Sequence, residues 1–242
     1  MRFFWAKFVT INPLESRISC QHLSFFVPKP LSGQLSDVSL EWVRTVAGFL
    51  QRSDLPQAMT DPATARSASV LIPLYRDKGE WRVLYIRRVA SERDHHSGQV
   101  AFPGGRRDAD DADEVAVALR EAHEEIGLES HEIQVIHVLP DYQTSSNYLV
   151  TPVVGIVPWP YAYRAQPTEV DRIFSIPLHW LADQNNVELR DRELTRGELS
   201  ATLKVVYYDR FDGELLWGAS ARMTVSLLHA LQFGDLSLDQ YY

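Results

Sequence analysis

A glycine-rich turn followed by an acidic helix lies between Gly104 and Leu128 and restricts the local fold more than any other segment. Helix neighbours lie three and four residues apart, so Glu121, Glu124 and Glu125 converge on one stripe of the predicted helix. Like charges repel on such a stripe, and a bound cation would remove the repulsion. Carboxylate oxygens are the ligands that Mg²⁺ and Mn²⁺ prefer, and Mg²⁺ usually keeps further positions for water and substrate phosphate. The segment therefore predicts a divalent-cation site.

The residues around this stripe resemble the signature of the Nudix hydrolases, enzymes that cleave a nucleoside diphosphate linked to another moiety. The matching positions are Gly105, Arg120-Glu121, Glu124-Glu125 and Ile126-Gly127-Leu128. The middle of the signature differs, because Asp111 stands where the usual spacing places a glutamate and one extra residue precedes Arg120. That insertion indicates a subfamily.

Three further segments resemble the coenzyme A pyrophosphatases within that family. They are His96-Ser97-Gly98-Gln99-Val100-Ala101-Phe102-Pro103-Gly104-Gly105, Val150-Thr151-Pro152-Val153-Val154-Gly155 and Trp217-Gly218-Ala219-Ser220-Ala221-Arg222. Together with the lengthened signature at residues 105–128, here called the box, these segments extend the resemblance over roughly residues 65–231. One position differs: the group usually has an arginine two residues before the histidine of its His-x-Gly motif, whereas here Asp94 holds that place and Arg93 is displaced by one.

Strands interrupted by amphipathic helices predict an α/β fold in which a mixed sheet is covered on both faces. Strands are expected near residues 68–74, 81–86, 100–102, 133–139, 149–157, 169–175 and 203–209, and helices near 39–50, 112–126 and 219–231. The resemblance implies the Nudix version, an α/β/α sandwich with a mixed β-sheet between helices. We divide the chain into an N-terminal extension, residues 1–64, which holds the first helix, and a Nudix hydrolase domain, residues 65–235.

The resemblance also implies a role for each residue of the acidic core. The expected metal ligands are the carbonyl of Gly105 and the side chains of Glu121, Glu124 and Glu125, and the expected ion is Mg²⁺ or Mn²⁺. Glu121 has an alternative role as the base that orients or deprotonates the attacking water. Arg120 completes the catalytic set, and we expect it to pair with a box glutamate and hold it in place rather than to contact phosphate.

Other polar residues near the box are assigned from their positions. Asp111 and Glu114 are expected to cap the helix N-terminus, where carboxylates are favoured. Glu169 is either a distal acid that a loop brings to the site or the exposed start of a strand. The expected substrate contacts are Arg88, Arg93, His96 and Arg106.

Composition excludes several classes of protein. The formal net charge of −8 argues against general nucleic-acid binding, which requires a basic surface. No apolar run reaches the roughly 18 residues of a membrane helix, and residues 1–11 lack a small-residue cleavage site, so neither a membrane span nor a signal peptide is expected. A single cysteine, Cys20, excludes an intrachain disulfide and fits a reducing cytosol. We expect a cytoplasmic enzyme with a small-molecule nucleotide substrate, and a homodimer is left open.

The leading hypothesis is a metal-dependent diphosphatase. By resemblance it hydrolyses coenzyme A or acyl-coenzyme A to 4′-phosphopantetheine, or its acyl derivative, and adenosine 3′,5′-bisphosphate. An alternative is a Nudix hydrolase of another nucleotide, such as NADH, ADP-ribose or a dinucleoside polyphosphate, which the displaced Arg93 keeps open. A different class is a Nudix module that binds a nucleotide without cleaving it. Such a module is expected to lose box acids, whereas this chain retains Glu121, Glu124 and Glu125.

Overall fold

The computed structural model describes residues 41–51, 64–90, 98–196, 198–234 and 236–241. Its helices are α1 (Glu41–Gln51), α2 (Glu114–Ile126), α3 (Leu178–Ala182) and α4 (Gly218–Phe233). Its strands are β1 (Arg66–Asp77), β2 (Glu80–Arg88), β3 (Val100–Ala101), β4 (Gly104–Arg106), β5 (Gln134–Val138), β6 (Tyr142–Gln143), β7 (Tyr148–Ile156), β8 (Val170–Pro177), β9 (Val187–Arg196), β10 (Leu199–Phe211) and β11 (Glu214–Trp217). No described helix is long and apolar enough to cross a membrane.

An eight-stranded mixed sheet organises the described part of the chain. Its central strand, β1, pairs antiparallel with β2 and β4 and parallel with β7. Strands β3 and β8 extend the sheet beyond β2, while β5 and β6 pair with β7. The predicted α/β class with a mixed sheet is confirmed. Strand β1 pairs both with β4, which contains the glycine turn, and with its parallel neighbour β7.

Helix α2 covers one face of this sheet. Successive side chains of β1 point to opposite faces, so Leu71 and Tyr75 pack with Ala118 and Ala122 of α2, whereas Ile72 belongs to the opposite core. Helical spacing in the sequence predicts an apolar face of Val115, Ala118, Leu119, Ala122 and Ile126 with the glutamates to one side, and the observed face differs from it. The fully buried positions are Val117, Ala118, Ala122, Glu125 and Ile126, while Val115 and Leu119 lie at its margin. A box glutamate therefore lies inside the apolar face rather than beside it.

The opposite face is covered by α1, α4 and a second, three-stranded sheet of β9, β10 and β11. Tyr85 of β2 and Thr224 of α4 share a buried hydrogen bond at 2.8 Å across this layer. Strand β9 was not predicted, because the four consecutive charged residues 190–193 interrupt the alternation typical of a strand, and the strand predicted at 203–209 is the middle of the longer β10. Strand β11 ends at Trp217, directly before α4.

Helix α1 packs into this second core even though it belongs to the segment assigned to the extension. Trp42, Val43 and Val46 are at most 3% exposed, and the Trp42 indole N–H donates to the carbonyl of Ala182 at 3.0 Å. The division of the chain at residue 64 stays a prediction. Residues 1–40 lie outside the described residues.

Candidate active site

Strand β4 holds the glycine turn against β1 and beneath α2. Gly104 and Gly105 pair with Val70 and Ser69. A Cβ on Gly105 would lie 2.4 Å from the carboxyl carbon of Glu121, which is far inside contact distance. The backbone therefore approaches the carboxylate only because residue 105 has no side chain.

Helix α2 begins at a cap that differs from the predicted one. Asp113 is the N-cap, and its side chain accepts a hydrogen bond from a first-turn backbone N–H at 2.8 Å. The expectation that Asp111 and Glu114 cap the helix is wrong. Glu114 is the first helical residue and pairs with Arg107 at 2.7 Å, and Asp111 lies too far upstream of the first turn to reach its backbone. Its carboxylate serves Arg120 instead.

Arg120 joins the acidic residues to the glycine turn. Its Nε and Nη2 donate to Asp111 at 3.0 and 2.9 Å, which lowers the pKa of that carboxyl to about 2. Its Nη1 donates to Glu121 at 2.9 Å and to Glu124 at 3.2 Å, and Nη2 also donates to the carbonyl of Arg106 at 3.0 Å. The pairing that was predicted for Arg120 is therefore present, and it includes both Glu121 and Glu124.

Two of the box glutamates are held where ionisation is unfavourable. Glu125 is 1% exposed, and burial raises the pKa of its carboxyl to about 7, although the Gly104 N–H donates to it at 2.9 Å. Burial also raises the pKa of Glu121 above its ordinary value. The side chain of Glu124, by contrast, is 55% exposed. The site thus combines two desolvated carboxyls with one that faces solvent.

A loop that follows β7 brings Glu169 to the box. The backbone N–H groups of Arg164 and Gln166 donate to the carbonyls of Ile126 and Glu125 at 2.9 and 2.8 Å, so the loop covers the C-terminal end of α2. Glu169 then lies one residue before β8, exposed to solvent, and its negative charge contributes to the raised pKa of both Glu121 and Glu125. Glu169 thus directly precedes a strand and lies close enough for its charge to act on the two glutamates, while its role as a distal acid stays a prediction.

The four expected substrate contacts have different placements. Arg88 lies on the box side of β2, with its Nη1 3.8 Å from an oxygen of Glu125. The side chain of Arg106 is exposed, and its carbonyl is what contacts Arg120. Arg93 and His96 lie outside the described residues.

The expected metal ligands are neighbours without forming a finished metal site. Within the described part of the chain, no group of three or more His, Cys, Asp or Glu side chains is arranged so that it could hold a metal ion. Instead, the Arg120 guanidinium supplies the positive charge between Glu121 and Glu124. The donor set still fits a hard divalent cation, because it consists of carboxylate oxygens, two of them desolvated, around a glycine that leaves room for them.

The sheet beneath α2 carries polar residues that were not predicted as part of the site. Ser69 of β1 pairs with Gly105 on one side and with Thr151 of β7 on the other. Thr151 donates its hydroxyl to Asp141 at 2.7 Å. Ser69 is fully buried, and its hydroxyl has no hydrogen-bond partner among the described residues. The sequence held one sign of this residue, because the alternation of side chains along β1 puts Ser69 on the face that α2 covers.

Comparison with known proteins agrees with this geometry. The model of the NUDIX domain matches residues 65–198. A relative from Shigella flexneri serotype 5b (strain 8401), described as an uncharacterized Nudix hydrolase NudL, is 38% identical over 192 residues, which cover 78% of this chain and 95% of the relative. A NudL from Enterobacter sp. (strain 638) is 43% identical over 136 residues, covering 55% of this chain and 70% of that relative.

Among solved structures, the Nudix hydrolase RenU from M. Smegmatis is 21% identical and has a TM-score of 0.42, covering 49% of this chain and 74% of that one. The family assignment depends on the domain model and on the NudL relatives, whose similarity extends over most of the chain. The chain belongs to the Nudix hydrolase family.

Proposed function

We propose that the protein is a metal-dependent diphosphatase that hydrolyses the diphosphate bond of coenzyme A or acyl-coenzyme A. The products would be 4′-phosphopantetheine, or its acyl derivative, and adenosine 3′,5′-bisphosphate. The observation that carries the hydrolytic part of the proposal is the approach of Gly105 to Glu121, with Glu125 held by the neighbouring glycine N–H. A chain that only bound nucleotides would have no need for two desolvated carboxyls next to a pair of glycines.

The divalent cation, Mg²⁺ or Mn²⁺, would be held by Glu124 and Glu125, with Glu121 and the carbonyl of Gly105 as further donors. Once bound, it would polarise a phosphoryl oxygen, lower the pKa of a bound water and orient the reacting groups. Glu124 is the most accessible of the three glutamates, so it is suited to exchange its bond with Arg120 for a bond to the ion. Arg120 would then keep Asp111 and Glu121 in place.

Two carboxylates are candidates for the base that takes the proton of the attacking water. Glu121 is half-buried and its raised pKa makes it a better proton acceptor than an exposed glutamate, although it equally serves as a ligand. Glu169 lies at the end of the loop that covers the C-terminal end of α2, close enough for its charge to act on Glu121 and Glu125, and its exposed carboxylate is open to water. Separate substitution of the two residues distinguishes them, because loss of the base lowers kcat without weakening the binding of Mn²⁺.

Recognition of coenzyme A requires cations, because the substrate carries a diphosphate and a 3′-phosphate while the chain has a net charge of −8. We assign Arg88, which lies beside Glu125, to the diphosphate, because arginine binds phosphate in bidentate fashion. We assign Arg93 to the 3′-phosphate and place Arg106 and His96 on the substrate side of the box. Support for coenzyme A comes from the motif of residues 96–105, the lengthened box and Val150-Thr151-Pro152.

We place the enzyme in the cytoplasm, where coenzyme A is available and where a single cysteine stays reduced. A homodimer is compatible with this function but is not required by it, since every proposed functional residue lies in one chain.

The second candidate is hydrolysis of another nucleotide by the same chemistry. It is favoured by Asp94, which occupies the usual position of the arginine in the coenzyme A group. A panel of coenzyme A, NADH, ADP-ribose and diadenosine polyphosphates, assayed with Mg²⁺ and with Mn²⁺, separates the two. We expect the highest kcat/KM with coenzyme A, and a tenfold preference for NADH would reject the substrate while leaving the diphosphatase chemistry intact.

A further inference from the structure

Ser69 lies in the centre of the mixed sheet, in line with the box. It pairs with Gly105 across the antiparallel β1–β4 contact and with Thr151 across the parallel β1–β7 contact. Residues paired in this way have side chains on the same face of the sheet. Leu71 and Tyr75, two and six residues further along β1, pack against α2, so the Ser69 side chain also points toward α2.

The distance from Ser69 to Glu121 follows from the glycine between them. Paired residues on neighbouring strands have Cβ positions roughly 5 Å apart. The Cβ position of Gly105 is taken up by the Glu121 carboxylate, whose carbon and Oε1 lie 2.4 Å and whose Oε2 lies 2.5 Å from it. The Ser69 hydroxyl and the Glu121 carboxylate are therefore neighbours on the same face of the sheet, and the carboxylate lies where a side chain at residue 105 would otherwise be.

An unpartnered hydroxyl at this place needs an explanation. Ser69 is 0% exposed, and its Oγ has no hydrogen-bond partner within the described residues. A buried hydroxyl without a partner destabilises the fold, and alanine would occupy the same position without that cost. Arg120 draws the neighbouring carboxylate toward itself, because its Nη1 donates to Oε1 of Glu121 at 2.9 Å.

We propose that Ser69 is a positioning residue for Glu121. When the bond between Arg120 and Glu121 loosens, the Ser69 hydroxyl donates to Oε2 of Glu121 and fixes the direction in which the other oxygen faces the reacting groups. The inference uses the role proposed above for Glu121, but it concerns only two side chains and their contact. Ser69 touches neither substrate nor metal in this account, and it acts through Glu121.

The experiment compares the full-length protein with Ser69→Ala, Ser69→Cys and Ser69→Thr. Mn²⁺ affinity is measured by calorimetry, kcat and KM are measured on the best diphosphate substrate, and Tm is measured without metal. Ser69→Ala and Ser69→Cys should weaken Mn²⁺ binding and lower kcat by about tenfold, with KM little changed, because a hydrogen bond to a charged group is lost. Tm should stay constant or rise. Ser69→Thr, which restores a hydroxyl on a residue suited to a strand, should recover most of both losses.

Ser220→Ala is the matched control, since it removes another buried serine hydroxyl, on α4, and should leave Mn²⁺ affinity and kcat unchanged. In a Glu121→Gln background, Ser69→Ala should have no further effect on Mn²⁺ affinity. Parent-like Mn²⁺ affinity and kcat in Ser69→Ala would overturn the positioning role while leaving the proposed hydrolysis standing. If the parent hydrolyses no diphosphate, the proposed function fails, and the Mn²⁺ titrations of the same variants still decide the contact between Ser69 and Glu121.

Discussion

Gly105 leaves room for the carboxylate of Glu121, because a Cβ on the glycine would lie only 2.4–2.5 Å from the three carboxylate atoms. The strand that carries Gly105 is held by β1, and the helix that carries Glu121 is fixed by the Asp113 cap and by Arg120. An added Cβ would therefore have to displace the Glu121 carboxylate, the end of a side chain that Arg120 holds at 2.9 Å.

Gly105→Ala should displace Glu121 and lower kcat/KM by at least 10²-fold, by analogy with removal of one positioned electrostatic group. The control is Gly48→Ala in α1, where a Cβ meets nothing within 4 Å. That variant should retain full activity and gain roughly 0.5–1 kcal/mol in the free energy of unfolding, because alanine is the better helix former. Equal activity in the two variants would show that a side chain at residue 105 does not disturb Glu121.

Glu124→Gln and Glu125→Gln should each lower turnover by about 10²-fold or more while the protein stays folded. Circular dichroism and thermal unfolding check the fold, and a chelator should abolish the activity of the parent. The two variants should differ in stability, because Glu124 is largely exposed and Glu125 is buried. A folded variant with near-normal turnover at saturating metal would remove that glutamate from the mechanism.

The raised pKa of Glu125 predicts a pH dependence of stability in the metal-free protein. In the folded chain this carboxyl loses its proton near pH 7, whereas in the unfolded chain it does so near the ordinary value of 4.5. Between these values the folded state binds the extra proton, so the free energy of unfolding falls as pH rises from about 4.5 to 7 and then levels off. The loss should be on the order of 3 kcal/mol.

Urea unfolding of the parent and of Glu125→Gln at pH 5, 6, 7 and 8, with a chelator present, measures this loss. The difference between the two proteins should change with pH in the predicted window. Glu124→Gln, as the exposed control, should follow the parent. Parallel pH profiles for the parent and Glu125→Gln would show that Glu125 ionises normally in the fold.

Helix α1 should be needed for stability even though it precedes all the catalytic motifs. Trp42→Ala should lower the free energy of unfolding by about 3–5 kcal/mol, because it removes a buried indole and its hydrogen bond to Ala182. Deletion of residues 1–35 should leave turnover unchanged, whereas deletion of residues 1–51 should cause unfolding or aggregation. A soluble, folded protein lacking residues 1–35 but without turnover would show that this segment contributes to the site.

The sequence predicted the elements whose signal is local. The positions of Glu121, Glu124 and Glu125 on one helix follow from helical spacing, and Gly127 ends α2 in the left-handed conformation that favours glycine. The glycine turn and the pairing of Arg120 with box glutamates were predicted in the same way. The class of fold followed from alternating strands and helices.

The remaining features depend on contacts between distant parts of the chain. Asp111 looked like a helix cap because it precedes the helix, but a guanidinium nine residues away holds it more strongly. The burial of Glu125 depends on β4 and Arg88, and Ser69 became part of the site only through the register of β1 with β4. No periodicity in one segment reports such register.

Metal-dependent cleavage of coenzyme A at its diphosphate is tested by identification of the reaction products. The full-length parent and Glu124→Gln are incubated with coenzyme A and Mg²⁺ or Mn²⁺, with and without a chelator, and the products are identified by mass spectrometry. We expect 4′-phosphopantetheine and adenosine 3′,5′-bisphosphate from the parent alone, and only when metal is present. Intact coenzyme A under conditions in which the parent consumes NADH or ADP-ribose, or equal product formation by Glu124→Gln, would contradict this expectation.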